Sequence, residues 1–135
     1  GDAGTVSSYA VPSMQWAVGA ELINGDRAAI FPTADGAQVR GIPYCGSSGV
    51  NKNQTMPLAA IVALSQATEN SITRLKGAKA FRPLWEGCSV NLWDPEAIGQ
   101  ATQAVADAVS AVPVYHLACT PDERSVLILE KEGLF

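Results

Sequence analysis

Short apolar runs bounded by glycine, proline and aspartate divide most of the chain into predicted strands. The predicted strands cover residues 19–23, 24–31 (which begins with a turn), 37–44, 58–66, 71–75 and 114–119. Ala34-Asp35-Gly36 is a hairpin signal that joins the second of these strands to the third. The run at 58–66 is apolar almost throughout, which is typical of a strand covered on both faces.

Helical spacing of apolar residues predicts the remaining elements. Residues 9–18 and 78–88 read as helices, and the clearest helix signal lies between Asp94 and Pro113. There, aspartate is a good N-cap and the following proline suits the first helical position. The terminal run 125–134 fits a helix or a strand equally well. Alternation of strands and helices predicts an α/β fold, with α+β as the alternative, in a single layered domain spanning residues 1–135.

Composition narrows the range of functions. The chain has 135 residues, a net charge of −4 and 16% charged residues, against about 25% in typical globular proteins. Its cations are scattered singly, so we expect no nucleic-acid partner, because such binding needs a basic face. No apolar run reaches the length of a membrane span. The three cysteines lack metal-ligand spacing and are expected to be reduced thiols in a cytoplasmic protein.

The first eight residues, GDAGTVSS, partly match a phosphate-binding loop of the form G-x-x-x-x-G-K-[ST]. In such a loop, backbone amides hold the phosphates, the lysine adds positive charge and the hydroxyl binds magnesium. Gly1 and Ser8 occupy the outer positions of the pattern. Val6 stands at the second glycine position and Ser7 at the lysine position. A plain N-terminal loop of small residues is the alternative interpretation.

Five further segments occur in series, and they make the pattern more specific. They are GAELINGDRAAI (19–30), GIPYCGSSGVNKN (41–53), PLAAIVALSQATENSITRL (57–75), VNLWDPE (90–96) and VPVYHLACTPDERSV (112–126). In this order they resemble the C-terminal kinase domain of bacterial HPr serine kinases and their phosphoenolpyruvate carboxykinase-like relatives. The resemblance implies a P-loop fold of the phosphoenolpyruvate carboxykinase type, with a mixed sheet and flanking helices.

A phosphate loop ordinarily follows a buried strand, and the sequence here opens at the loop itself. Two explanations are open. The chain is an N-terminally incomplete piece of a longer protein, or association, including homo-oligomerisation, supplies the missing strand.

The resemblance also implies a set of site residues. In the family a helix follows the phosphate loop, and the next strand delivers an acidic pair that serves magnesium and the transferred phosphoryl group; here the pair has become Gly25-Asp26. Asp26 is therefore the expected catalytic carboxylate and, with Ser8, the expected metal ligand. The expected nucleotide and phosphate contacts are Gly1, Gly4, Ser7, Ser8, Lys52, Asn70 and Arg74. A turn aspartate and a solvated loop lysine are the ordinary alternatives for Asp26 and Lys52.

The resemblance implies a nucleotide-binding, kinase-like domain that uses ATP and Mg²⁺. Loss of the loop lysine and glycine at Ser7 and Val6 predicts impaired or lost phosphoryl transfer to a serine or a small hydroxylated acceptor. One alternative is a regulatory or interaction module that keeps the fold without the site. Another is an active kinase in which Lys52 replaces the missing lysine.

Overall fold

The computed structural model describes residues 21–44 and 46–134 of the chain. Within them lie two small three-stranded sheets and three α-helices. The predicted helix at 9–18 lies outside the described residues. The coarse prediction of a mixed α and β chain is confirmed, while the kinase fold family stays a prediction.

The first sheet is an antiparallel meander in the order β1 (Ala28–Thr33), β2 (Gly36–Gly41) and β3 (Thr55–Pro57). The predicted hairpin is confirmed, because Thr33 pairs with Gly36 across a two-residue turn. Along β2, Ala37 is buried, Gln38 is exposed and Gly41 is buried, which is the period-2 alternation of a strand with one covered face.

The second sheet is mixed, with β6 (Val114–Cys119) between β4 (Ile61–Gln66) and β5 (Ser71–Leu75). β4 runs parallel to β6, and β5 runs antiparallel to it. The central position of β6 explains its burial, since Val114 and Leu117 are each 1% exposed. All three strands were predicted from their apolar runs.

The helices connect and cover these sheets. They are α1 (Ala78–Gly87), α2 (Pro95–Ala111) and α3 (Glu123–Lys131). Helix α2 packs against α1 and against β1 and β2, and α3 packs on β5 and β6. The prediction left the terminal segment open between helix and strand. It is a helix, because Asp122 caps its N-terminus and Val126 and Leu129 bury one side.

Two strand predictions need correction. The described part of the 19–23 run, residues 21–23, is not a strand; Ile23 instead accepts a backbone hydrogen bond from Lys52 (2.7 Å). The strand predicted at 58–66 begins at Ile61 and is not covered on both faces. Among the described strands it pairs with β6 alone, at a sheet edge, so Ile61–Leu64 are only half-buried.

Candidate functional site

An asparagine turn precedes β1 and holds the predicted catalytic residue. The Asn24 Oδ1 accepts hydrogen bonds from the backbone N–H groups of Asp26 (2.8 Å) and Arg27 (2.9 Å). Its Nδ2 donates to the carbonyl oxygens of Ile42 and Tyr44, each at 2.8 Å. All four hydrogen-bonding positions of the carboxamide are thereby used. The turn is consequently tied to the segment that follows β2.

The Asp26 side chain lies against Gly46, in the loop between β2 and β3. A β-carbon placed on Gly46 would lie 3.1 Å from Asp26 Cγ, and Gly46 has φ +55°. The positive φ at position 46 favours glycine, and an added β-carbon would require the Asp26 side chain to shift by a few tenths of an ångström. The Asp26 side chain stays 32% exposed, and Arg27 Nε lies 3.8 Å from its Oδ2. Arg27 also donates from Nη1 to Ser89 Oγ, in the connection between α1 and α2.

Lys52, the predicted phosphate contact of this loop, forms an ion pair. Its Nζ lies 2.6 Å from Glu21 Oε1, with the two side chains 41% and 60% exposed. The hydrogen bond and the charge of Lys52 lower the pKa of Glu21. Exposed pairs of this kind contribute little stability, and the phosphate contact of Lys52 stays a prediction.

Asn70 and Arg74, the other described site predictions, belong to the second sheet. Asn70 Nδ2 donates to Thr120 Oγ1 (2.8 Å), and its Oδ1 accepts from the Thr120 backbone N–H (3.0 Å). The Arg74 guanidinium lies 5.4 Å from the centre of the Tyr115 ring. The predicted residues thus form two groups, Asp26 with Lys52 beside the first sheet, and Asn70 with Arg74 on the second. Both members of the second group already have structural partners.

The remaining site predictions, Gly1, Gly4, Ser7 and Ser8, lie outside the described residues, as does Cys45. Their placement opposite Asp26 stays a prediction. Cys88 and Cys119 are free thiols. Burial raises the pKa of both, which disfavours the reactive thiolate.

A metal ion at Asp26 would need ligands from elsewhere. Across residues 21–44 and 46–134, no group of three or more histidine, cysteine, aspartate or glutamate side chains could hold one. Magnesium is compatible with that arrangement, because it is commonly held by one or two carboxylates plus waters and substrate phosphates. Asp26 as a ligand of magnesium stays a prediction.

Sequence reasoning missed two features. The first is the hydrogen bonding of the Asn24 side chain, although a turn at this point was predicted and asparagine is a typical turn residue. The second is a groove of about 350 Å³ between α3 and the loop after β4. We call it the α3 groove; its lining residues are Thr68, Glu69, Asn70, Arg124, Leu127, Ile128 and Lys131. The groove is formed by residues 68–70 and 124–131, which are far apart along the chain, so no local sequence pattern predicts it.

No protein-family model, curated protein or solved structure matches this chain. Within the described residues, every helix is too short or too polar to cross a membrane.

Proposed function

We propose that this chain is a nucleotide-binding, kinase-like domain whose ATP-dependent phosphoryl transfer to a serine or small hydroxylated acceptor is impaired or lost. The observation that carries the proposal is the Asp26 carboxylate. The Asn24 turn fixes its backbone, Gly46 leaves room for its side chain, and a third of that side chain remains open to solvent.

The position of Asp26 suits a metal–nucleotide complex. The Asn24 side chain holds the backbone at Asp26 before any ligand arrives, which reduces the backbone ordering that binding would require. In the proposed complex Asp26 and the Ser8 hydroxyl would each contact Mg²⁺, and ATP phosphates and water would complete its shell. Gly1, Gly4 and Ser7 would contribute loop contacts to the phosphates.

The cations that phosphoryl transfer needs are scarce around Asp26. Transfer depends on neutralising the charge that develops on the phosphoryl oxygens. Ser7 stands where the loop lysine is expected, and Lys52 is paired with Glu21. Arg27 is the described cation beside Asp26, and Ser89 already accepts from it. These features favour binding without efficient transfer.

Calorimetric titration with ATP, with and without Mg²⁺, tests the binding. We expect Mg²⁺-dependent binding that Asp26→Asn weakens by about tenfold or more, equivalent to about 1.4 kcal/mol. Asp35→Asn is the matched control, because Asp35 is an exposed aspartate in the β1–β2 turn and should leave binding unchanged. A dissociation constant above about 1 mM under both conditions, or equal binding by Asp26→Asn, would refute the proposal.

A repair experiment tests the loop assignment separately. The double variant Val6→Gly, Ser7→Lys restores the expected glycine and lysine, and we expect it to bind ATP more tightly than the natural chain. Transfer of labelled phosphate from ATP to an acceptor should be weak or absent in the natural chain. If the double variant gains no affinity, the phosphate loop lies elsewhere.

A further inference from the structure

The Arg27 side chain connects two distant parts of the chain. Its residue belongs to the turn before β1, where the Arg27 backbone N–H donates to Asn24 Oδ1 (2.9 Å). The guanidinium donates from Nη1 to Ser89 Oγ, in the connection between α1 and α2. Backbone and side chain are thus both held, although 51% of the side chain stays exposed. An arginine whose fork is already held loses less conformational freedom when it binds an anion.

The positive charge of Arg27 is only partly neutralised. Its Nε lies 3.8 Å from Asp26 Oδ2, which is beyond hydrogen-bonding distance. The other arginines of the chain each have a close carboxylate or an aromatic ring as partner; they are Arg40, Arg74, Arg82 and Arg124. Arg27 is instead held by the neutral hydroxyl of Ser89. Its position is therefore fixed while most of its charge remains available to a ligand.

The guanidinium also keeps hydrogen-bond donors for a ligand. It has more N–H donors than one hydroxyl can accept from, and Ser89 is the side chain that accepts from it among the described residues. The remaining donors lie in a planar fork, the arrangement that binds two oxygens of one phosphate group. Charge, rigidity and free donors at Arg27 together suit a phosphate group.

Lys52 is the other candidate for a phosphate contact beside the first sheet. Its Nζ lies 2.6 Å from Glu21 Oε1, so a phosphate must first displace a carboxylate from the ammonium group. Arg27 requires no such exchange, because Ser89 occupies one of its donors and carries no charge. Coulomb attraction weakens with distance, so the long pair with Asp26 competes less for Arg27 than Glu21 competes for Lys52.

From this arrangement we infer that Arg27, positioned by Ser89, binds the phosphates of the nucleotide in place of the loop lysine that is missing at Ser7. The inference rests on the proposed function and adds to it the residue that recognises the phosphates. Arg27 and Asp26 are neighbours on one turn, so one phosphate group can engage both, the guanidinium directly and the carboxylate through the metal ion. Lys52 then stays paired with Glu21.

Calorimetric titration with two ligands, ATP and inorganic tripolyphosphate, each with Mg²⁺, tests the contact. We expect Arg27→Gln to weaken binding of both ligands by about tenfold or more. A similar loss for the two ligands places the contact on the phosphates, because tripolyphosphate has neither base nor ribose. Arg82→Gln is the matched control, since it removes the same charge from an exposed position on α1, and it should leave both affinities unchanged. Circular dichroism checks that each variant is folded.

Variants of Ser89 test its positioning role. Ser89→Ala removes the acceptor of the Arg27 hydrogen bond and should weaken binding of both ligands by about threefold or more. Ser89→Thr keeps a hydroxyl and should restore the affinity of the natural chain. If Ser89 acts through Arg27, adding Ser89→Ala to Arg27→Gln should cause no further loss.

The outcomes separate this inference from the proposed function. If the natural chain binds ATP and Arg27→Gln binds it equally well, the inference is overturned and the proposed function stands. If the natural chain binds neither ATP nor tripolyphosphate, both are refuted. A larger loss of affinity from Lys52→Gln than from Arg27→Gln would assign the contact to Lys52, which also overturns the inference.

Discussion

The side-chain amide of Asn70 makes two hydrogen bonds to Thr120, one to its hydroxyl and one from its backbone N–H (2.8 and 3.0 Å). Thr120 is 8% exposed and directly follows the central strand β6. Asn70 directly precedes β5, so the pair connects the strand β5 to the end of β6. Because the resemblance assigns Asn70 to nucleotide binding, its structural role and its predicted role can be separated by experiment.

Replacing Asn70 by alanine should destabilise the fold. The change leaves the backbone N–H of the buried Thr120 without its partner, which costs about 1–3 kcal/mol. Urea unfolding followed by circular dichroism measures the loss. Glu69→Ala, at the exposed neighbouring position, should change the free energy of unfolding by less than about 0.5 kcal/mol. If Asn70→Ala kept full stability but lost ATP affinity, the nucleotide role would be favoured over the structural one.

Glycine at position 41 should prove irreplaceable. A β-carbon there would lie 2.0 Å from the Lys52 carbonyl oxygen, so Gly41→Ala must displace backbone and should cost about 3 kcal/mol or more. Gly99→Ala is the control, because Gly99 lies inside α2 with open space around the added methyl group. That change should stabilise the protein by about 0.5–1 kcal/mol. Similar unfolding midpoints for the two variants would contradict the close approach at Gly41.

The N-terminus of α2 should depend on Asp94. Its Oδ1 accepts from the backbone N–H groups of Glu96 (3.0 Å) and Ala97 (3.4 Å). Asp94→Ala should therefore reduce the free energy of unfolding by about 0.5–2 kcal/mol. Asp107→Ala, on the exposed side of the same helix, removes the same charge without removing a cap and should cost clearly less. Equal losses would contradict the capping role of Asp94.

The cap of α3 should make stability depend on pH in the acid range. Hydrogen bonding from the Arg124 side chain lowers the pKa of Asp122 from 3.8 to about 2. Because this pKa is depressed in the folded state, ionised Asp122 stabilises the fold above pH 3.8, and that contribution is lost as the pH falls towards 2.

Asp122→Asn is the matched variant for this effect, since asparagine also caps helices but carries no charge. Thermal unfolding measured from pH 5 downwards should give a higher Tm for the natural protein at about pH 5, with the difference shrinking as Asp122 becomes protonated. A difference that is constant with pH would contradict the assigned pKa.

Sequence patterns predicted several elements close to their observed bounds. The helix after Asp94, the β1–β2 hairpin and the strands β5 and β6 were all found in the structure. Each has a signal that acts between near neighbours along the chain, such as a cap, a turn or a regular spacing of apolar residues. The 58–66 run shows what such local signals cannot predict. Its apolar residues indicated a strand, but not that the strand would lie at a sheet edge.

The candidate site also combines features that the sequence predicted with contacts that only the folded structure decided. The resemblance drew attention to Asp26, and the Asn24-Gly25 pair before it is a local turn signal. Local patterns could not predict the partners of Lys52 and Asn70. Lys52 pairs with Glu21, 31 positions away, and Asn70 with Thr120, 50 positions away. Partners so distant in sequence are chosen by the packing of whole elements, which no window of neighbouring residues contains.

The sequence by itself determined the mixed α and β character, the ends of α2 and the position of the first hairpin, because short-range sterics and hydrogen bonding control these features. Only the tertiary structure decided that the strands divide into two sheets, that residues 21–23 run beside Lys52 without forming a strand, and that the terminal segment is helical. Those outcomes depend on which apolar surfaces meet and on which distant polar groups can pair. Non-local contacts of this kind arise only when the whole chain has folded.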